Sequence, residues 1–493
     1  MSTVRPTLAS IVATLGPASD SPEMLVKLID AGVSVFRLNF SHGSESEHQQ
    51  RVEMIRATAD LAGLPIAILG DLPGPKIRVG ACAPEGVMLE PGQDVLIDPG
   101  ASTCASGKTP VLSCLLESIG RDVLAGQKVL INDGAIRLLA LERAPGDPER
   151  ALRARVVVGG LVTKGKGINL PQSDLHVSAI SDRDWAWARW AVKNELDFLA
   201  LSFVRSADEV RKLKAEVGTM PVVSKIETPQ AVARMDEIIA ASDAIMVARG
   251  DLGVEMEVFS VPVVQKKLVR AAAAQGKPCI VATQMLESMV TSSVPTRAEA
   301  SDVANAIFDG ADAVMLSAET AVGKHPALVV DTMRRIIASA EAEMTPRLLM
   351  KPSPPSQVIS TGYRTAALAH GAWYVARDVD AKLIVCWSQT GGLARYLSQM
   401  GLAAPVIAFS SSLSETRRMA LLRGVTALCQ APPADGKLST WNERVDEEIV
   451  RRGWAKPGDA VVLIAGRPMG QSKPANTLAV HYVGQRETGF SPH

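Results

Sequence analysis

Two periodicities alternate along much of the first 345 residues. Short runs rich in β-branched residues are followed by stretches whose apolar positions recur at helical spacing. Eight of these runs are predicted strands: ASIVAT (9–14), SVFRLN (34–39), PIAILGD (65–71), LDFLALSF (196–203), PVVSKIE (221–227), SDAIMVARGD (242–251), KPCIVATQ (277–284) and ADAVMLSAET (311–320). Amphipathic segments such as SPEMLVKLIDAG (21–32) and SADEVRKLKAEVG (206–218) lie between them. Pro22 stands at a first helical position and Gly32 where a helix would stop. The alternation predicts a parallel sheet with crossover helices. Eight units predict a (β/α)8 TIM barrel. The polar residues strengthen that reading. Nearly every run begins apolar and ends in a reactive cluster: RLNFSH, GDLPG, SFVRS, KIE, ARGD, ATQ, SAET. In such barrels the active site lies at the carboxyl ends of the strands.

The third and fourth runs are about 125 residues apart, too far for one βα connection. The intervening stretch is turn-rich (PEGVMLEPGQDV, APGDPER) and carries short alternating strands (ALRARVVVGG). It reads as a small all-β lid inserted after the third strand, with Gly- and Pro-rich joints at PGP (73–75) and GKGINLP (165–171). A second boundary falls at KPSPPSQ (351–357). Beyond it the αβ alternation resumes with AKLIVCWS (381–388), APVIAFS (404–410), VTALCQ (425–430) and DAVVLIAG (459–466), the pattern of an open α/β domain. The expected division is a barrel from 1–72 and 169–345, a β lid from 73–168, and a C-terminal α/β domain from 358–493.

Composition narrows the classes. Of 493 residues, 52 are Lys or Arg and 52 are Asp or Glu, so the net charge is zero, which argues against a general nucleic-acid binder. With 47% apolar residues the chain is not of the disordered class. No apolar run reaches the roughly 18 residues of a membrane span, and MSTVRPTLAS does not read as a secretory signal. The expectation is a soluble cytoplasmic protein. Its six cysteines form no CxxC pair and are expected to be free thiols.

The chemistry-bearing motifs follow the strand ends. Lys225 and Glu227 have the same parity on one strand and project to one face. Asp251 arrives at the end of the next. Two carboxylates from neighbouring strand ends suit a hard divalent ion, Mg²⁺ or Mn²⁺. A Lys beside it can neutralise a transferring phosphoryl group or an enolate oxygen. The plainer alternative is a structural salt bridge among the three. FRLNFSHG (36–43) places Arg37 and Asn39 on one face, with Ser41 and His42 in the loop after it. Arg is the preferred bidentate partner of phosphate or carboxylate. GDLPGPKIRVG (70–80) sets Asp71, Lys76 and Arg78 where the insert leaves the barrel. TKGKGINLP (163–171) offers Lys164 and Lys166 where it returns. Thr283 ends the seventh strand with a hydroxyl able to orient water or relay a proton. There is no GxxxxGK[ST] loop and no GxGxxG after a strand, so a nucleotide here would be held in another way.

Taken together, these motifs resemble the pyruvate kinase family. TLGPAS (14–19), FRLNFSHG, GPKIR (74–78), GINLP (167–171), SKIE (224–227), MVARGDLGVE (246–255), ATQMLESM (282–289) and PTRAEASDVANAIFDGADAVMLSAET (295–320) carry the likeness, in order and at fitting spacing. The resemblance implies a barrel, a mobile β lid and a C-terminal α/β domain. It implies phosphoryl transfer from phosphoenolpyruvate to ADP, the last step of glycolysis, followed by protonation of the pyruvate enolate. By position, Lys225 would stabilise the phosphoryl group in transfer and Arg37 would contact it. Glu227 and Asp251 would hold the metal. Gly250 and Thr283 would seat the substrate carboxylate, and Thr283 would belong to the proton path. Asn39, His42, Arg78 and Lys166 match nucleotide positions. A homotetramer is implied by the likeness alone.

Two departures matter. Many members hold K⁺ at positions matching Asn39, Ser41, Asp71 and a Thr after that Asp, with Glu at the position of Lys76. Here Leu72 replaces the Thr and Lys76 the Glu, so Lys76 is expected to supply the charge and K⁺ not to be required. In the C-terminal domain the loop SQTGG (388–392) leads into a helix, LARYLSQM. It is either a site for a phosphorylated effector or a plain connection. Two other readings compete: a different barrel acting on pyruvate enolates, such as an aldolase or lyase, and a catalytically dead homologue. The former needs no lid with basic joints. The latter would not need Lys225, Glu227, Asp251, Arg37 and Thr283 intact.

Overall fold

The computed structural model describes residues 7–143, 149–173, 178–348, 363–401, 404–435, 438–466, 469 and 474–485. Eight parallel strands close into a barrel: Ser10–Thr14, Val33–Asn39, Ala67–Asp71, Phe198–Leu201, Val222–Ile226, Ala244–Ala248, Cys279–Ala282 and Ala313–Leu316. The first strand pairs with the eighth, Ala13 opposite Leu316. The third pairs with the fourth across the insert, Leu69 opposite Phe198. All eight predicted strands are present, seven of them shorter than the predicted run and the second, Val33–Asn39, one residue longer. The difference that bears on the site is at 242–251. The ladder ends at the Ala248–Ala282 pair, and the freed backbone turns at once into the helix Arg249–Glu255. Asp251 therefore rides the first turn of a helix, one step beyond the strand.

The barrel interior is filled by small and medium apolar side chains, among them Val12, Val35, Leu69, Val223, Met246, Ile280 and Met315. Leu421, from the C-terminal part of the chain, enters the same cluster and is 1% exposed. At that amino-terminal end three strand-start aspartates close the ladder. Asp197 accepts from Ile68 N–H (2.7 Å), Asp243 from Val222 N–H (2.9 Å) and Asp312 from Cys279 N–H (2.8 Å). Helices pack outside. Pro22–Ala31 starts at a Ser21 cap with Pro at its first turn and stops at Gly32, as its sequence predicts. One glycine has a steric reason that bears on the site. A Cβ on Gly70 would lie 2.7 Å from the Phe40 ring, which stacks on Trp187 at 4.4 Å. Gly70 thus lets Phe40 pack down and fixes the backbone between Asn39 and Ser41.

The insert folds around its own apolar core as a two-stranded sheet, Val87–Leu89 with Gly160–Val162, and a six-stranded sheet. Its longest strand, Leu152–Val158, begins with the alternating burial that its sequence shows. The free-thiol expectation fails here. Cys82 and Cys104, 22 residues apart, are disulfide-bonded, because Cys104 N–H pairs with Ala81 carbonyl and brings the two side chains together. Cys114, Cys279, Cys386 and Cys429 are free. The C-terminal sheet has five strands in the order Val425–Cys429, Val406–Ser410, Leu383–Trp387, Ala460–Ala465, Thr477–Tyr482. The last, antiparallel and half-exposed along most of its length, gives no clear apolar run and was not expected. KPSPPSQ (351–357) lies outside the described residues.

Candidate active site

Four strand ends converge on one buried carboxylate. Asp71 closes the third strand and is 1% exposed. Arg37, from the second strand, donates to it from Nε (2.7 Å) and lies 2.6 Å from it through Nη2. Its Nη1 donates to the Thr14 hydroxyl at the end of the first strand (3.0 Å). Lys225, on the fifth strand, brings its ammonium 3.3 Å from Asp71 and 2.9 Å from Glu227. Lys225 Nζ also donates to Ser202 Oγ (2.7 Å), and Ser202 donates to the Leu72 carbonyl (2.7 Å). Glu227 Oε2 accepts from Phe203 N–H (2.6 Å).

The charges follow from this packing. Burial alone would raise the Asp71 carboxyl, but Lys225 and Arg37 outweigh it and hold it below the usual carboxylate range. Burial alone would lower the Lys225 ammonium, but Asp71 and Glu227 outweigh it and raise it, so Lys225 stays charged. Burial pushes Glu227 up to about 7 against the pull of Lys225, and Asp251 adds to the rise. Glu227 Oε1 is buried and makes no hydrogen bond of good geometry, although Lys225 stands close to it. An under-satisfied buried carboxylate oxygen with a second carboxylate nearby is a hard, anionic donor set. It fits a divalent cation that keeps water or substrate oxygens. Among the described residues no group of three or more His, Cys, Asp or Glu side chains is placed to hold a metal ion.

Thr283 follows the seventh strand. Its Oγ1 accepts from Gly250 N–H (2.7 Å) and donates to the Ala282 carbonyl (2.7 Å). Gly250 and Asp251 line a cavity of about 870 Å³, together with Lys76 and Asp133 of the insert. Asn39 faces Asp71 in register, and its Oδ1 accepts from Ser41 N–H (3.1 Å). His42 is exposed; its N–H donates to the Asn39 carbonyl (3.2 Å) and its carbonyl meets His48 Nε2 (2.8 Å). Arg78 and Lys166 lie together at the lid joint. Arg78 donates to the Gly165 carbonyl (2.9 Å), and Lys166 gives its carbonyl to Val79 N–H (2.8 Å).

The structure does not pair Lys76 with Asp71. Lys76 is exposed, has no ion-pair partner among the described residues, and lines the same cavity as Asp251. Asp71 is already taken by Arg37 and Lys225. Leu72 is fully buried, with no hydroxyl to offer. In the C-terminal loop, Ser388 Oγ accepts from Ala394 N–H (3.1 Å), which holds the hydroxyl in place within the fold. Sequence reasoning missed Ser202, which ties Lys225 to the third strand, and Phe203, whose positive φ (52°) aims its N–H at Glu227. The strand-end cluster SFVRS was the available signal.

The fold and this convergence define an α/β-barrel enzyme whose charged groups gather at the carboxyl ends of its strands. Comparison with known proteins names the family. The family "Pyruvate kinase, barrel domain" matches residues 7–330, and "Pyruvate kinase, alpha/beta domain" matches residues 366–481. The chain is 38% identical to a pyruvate kinase of Thermotoga maritima, over 95% of this chain and 98% of that one. It is 40% identical to one of Methylorubrum extorquens, over 96% and 97%. A crystal structure of a Cryptosporidium parvum pyruvate kinase superposes with TM-score 0.87 at 32% identity, covering 97% and 96%. The chain belongs to the pyruvate kinase family, and it is a phosphotransferase.

Proposed function

We propose that phosphoenolpyruvate binds between Arg37, Lys225 and the Gly250–Thr283 pair, and passes its phosphoryl group to ADP. The convergence of Arg37, Lys225 and Glu227 around buried Asp71 carries this reading. Lys225, kept cationic by two carboxylates, faces the charge that spreads over the phosphoryl oxygens in transfer. Arg37, fixed by Asp71 and Thr14, grips the same group from the other side. Neither side chain has to reorganise, so the stabilisation is pre-set. Glu227 and Asp251 would hold Mg²⁺ or Mn²⁺, which when bound supplies Lewis-acid charge to phosphoryl and enolate oxygens. Thr283 Oγ1 lies on the proton route to the enolate carbon. Asn39, His42, Arg78 and Lys166 receive the nucleotide, and the insert (73–168) closes over it to exclude water.

Lys76 stands next to the returning joint, its Cε 3.4 Å from where a Gly167 Cβ would be. Lid closure would carry it toward the pocket of Asn39, Ser41 and Asp71, making K⁺ dispensable. The family likeness also supports a homotetramer. The exposed Val258 and Phe259, 71% and 76% accessible, are apolar surface that a second copy would cover. No helix among the described residues is long and apolar enough to cross a membrane, in keeping with a cytoplasmic enzyme. A phosphorylated effector at 388–392 would draw on backbone N–H groups and the hydroxyls of Ser388 and Thr390, the first fixed in place by Ala394 N–H. Metal titration tests the core of the proposal. Mn²⁺ should bind wild type, with an electron-paramagnetic-resonance signal that falls on binding, and should bind Glu227→Gln about tenfold or more weaker. Unchanged Mn²⁺ affinity in that variant would remove Glu227 from the metal site.

A further inference from the structure

The turn that presents Thr283 is strained. Thr283 and Gln284 are consecutive non-glycine residues at positive φ, 70° and 53°. For a β-branched residue the left-handed region is an outlier, and two in succession persist only where neighbours over-determine them. The neighbours here come from one place. Arg249 Nη2 donates to the Thr283 carbonyl (2.8 Å), while the next residue, Gly250, donates its N–H to Thr283 Oγ1 (2.7 Å). The first two residues of the helix Arg249–Glu255 therefore hold Thr283 by its carbonyl and by its hydroxyl.

Arg249 is itself aimed by a second element. Its Nη1 lies 2.7 Å from Asp302 Oδ2 and 2.8 Å from Oδ1, in the helix Arg297–Asp309. The Arg249 side chain is 10% exposed. A planar guanidinium can span a carboxylate on one edge and a peptide carbonyl on the other, which an ammonium cannot do in the same geometry. Asp302 and Arg249 also line the cavity that Gly250 and Asp251 open onto.

We propose that Arg249 is a positioning residue for the reaction: clamped by Asp302, it holds the strained Thr283–Gln284 turn so that the Thr283 hydroxyl faces the substrate. This rests on the reading of Thr283 as part of the proton route and carboxylate seat. Arg249 touches neither substrate nor metal in this account. Its effect runs through Thr283, and that makes it separable from a merely structural ion pair.

The test is a double-mutant cycle on kcat, with KM for ADP as the internal control. Arg249→Lys keeps the charge and loses the fork. It should lower kcat about 10- to 100-fold, the scale of a misplacement near 1 Å, with KM for ADP little changed. Asp302→Asn, a milder change in case Arg249→Lys folds poorly, should lower kcat in the same direction by less. In a Thr283→Ala background both changes should cost almost nothing further, because the group they position is gone. Equal losses in both backgrounds would overturn the proposal, since Arg249 would then act independently of Thr283. Near-wild-type kcat in Thr283→Ala alone would instead overturn the reading of Thr283, and the Arg249 proposal with it.

Discussion

Replacing Asp71 by Asn tests whether one buried carboxylate organises the site. Asp71 is 1% exposed and holds Arg37 at 2.6 Å and Lys225 at 3.3 Å. At an effective dielectric near 20 each contact is a bare attraction of roughly 5 kcal/mol, part of which desolvation takes back. The amide is isosteric but neutral. Lys225 would keep Glu227 at 2.9 Å, whereas Arg37 would keep only neutral acceptors, the Thr14 hydroxyl and the new amide oxygen. Most of the cost therefore falls on Arg37. Removing one partner from a buried pair costs about 3–5 kcal/mol, and we expect the lower end here. Activity should suffer more than stability, because Arg37 loses its charged anchor and Lys225 loses one of its two. A kcat loss of about hundredfold is expected. Urea denaturation followed by fluorescence, with Trp187 and Trp190 as probes in the barrel layer, reads the first quantity. Steady-state turnover reads the second. In the Asp71→Asn background, Arg37→Met should cost less than in wild type, with a coupling of about 2 kcal/mol. Stability within about 0.5 kcal/mol of wild type, the range of a neutral surface change, together with unchanged kcat, would refute the reasoning.

Other outcomes follow from the same geometry. Burial pushes the Asp312 carboxyl up to about 6 from 3.8, against Cys279 N–H and Arg423. Its stabilising contribution is thus complete below pH 3.8 and is lost as pH rises through about 6. Asp312→Asn should be more stable than wild type at pH 8, by up to about 3 kcal/mol, and should lose this pH dependence. Urea midpoints at pH 5 and pH 8 check it, and a variant less stable at pH 8 contradicts it. If Lys76 supplies the monovalent charge, rates in tetramethylammonium buffer should change less than about twofold on adding K⁺, whereas tenfold activation, worth about 1.4 kcal/mol, defeats the idea. Gly70→Ala should lose about 1–3 kcal/mol of stability by displacing Phe40, measured by the same denaturation. A neutral effect there would mean that Phe40 has room to move.

The barrel was legible because its strands are buried on both faces and end in polar clusters, a pattern that composition alone does not produce. Lys225 and Glu227 were legible because strand parity is rigid: their contact at 2.9 Å is what a two-residue period dictates. Asp251 was found on the right strand end but assigned the wrong local structure, since a sequence pattern does not reveal where a ladder runs out of partners. Ser202 and the Arg249–Asp302 clamp were invisible for a different reason. Each joins residues from separate strand–helix units, and their spacing along the chain carries no period. The Cys82–Cys104 bond likewise depends on how the insert's strands are folded back, which 22 residues of separation do not disclose. The antiparallel edge Thr477–Tyr482 has too few buried positions to give an apolar run.

The zero net charge of the chain hides a concentration of charge at one barrel mouth, and the account stands on what that mouth does. Its most direct measurement is a coupled assay of pyruvate formed from phosphoenolpyruvate and ADP with Mg²⁺, for wild type and Lys225→Met. Wild type should turn over. Lys225→Met should lose about 10²–10³ or more in rate, with fold and Mn²⁺ binding retained. No turnover in wild type, or a variant rate close to it, would contradict the account.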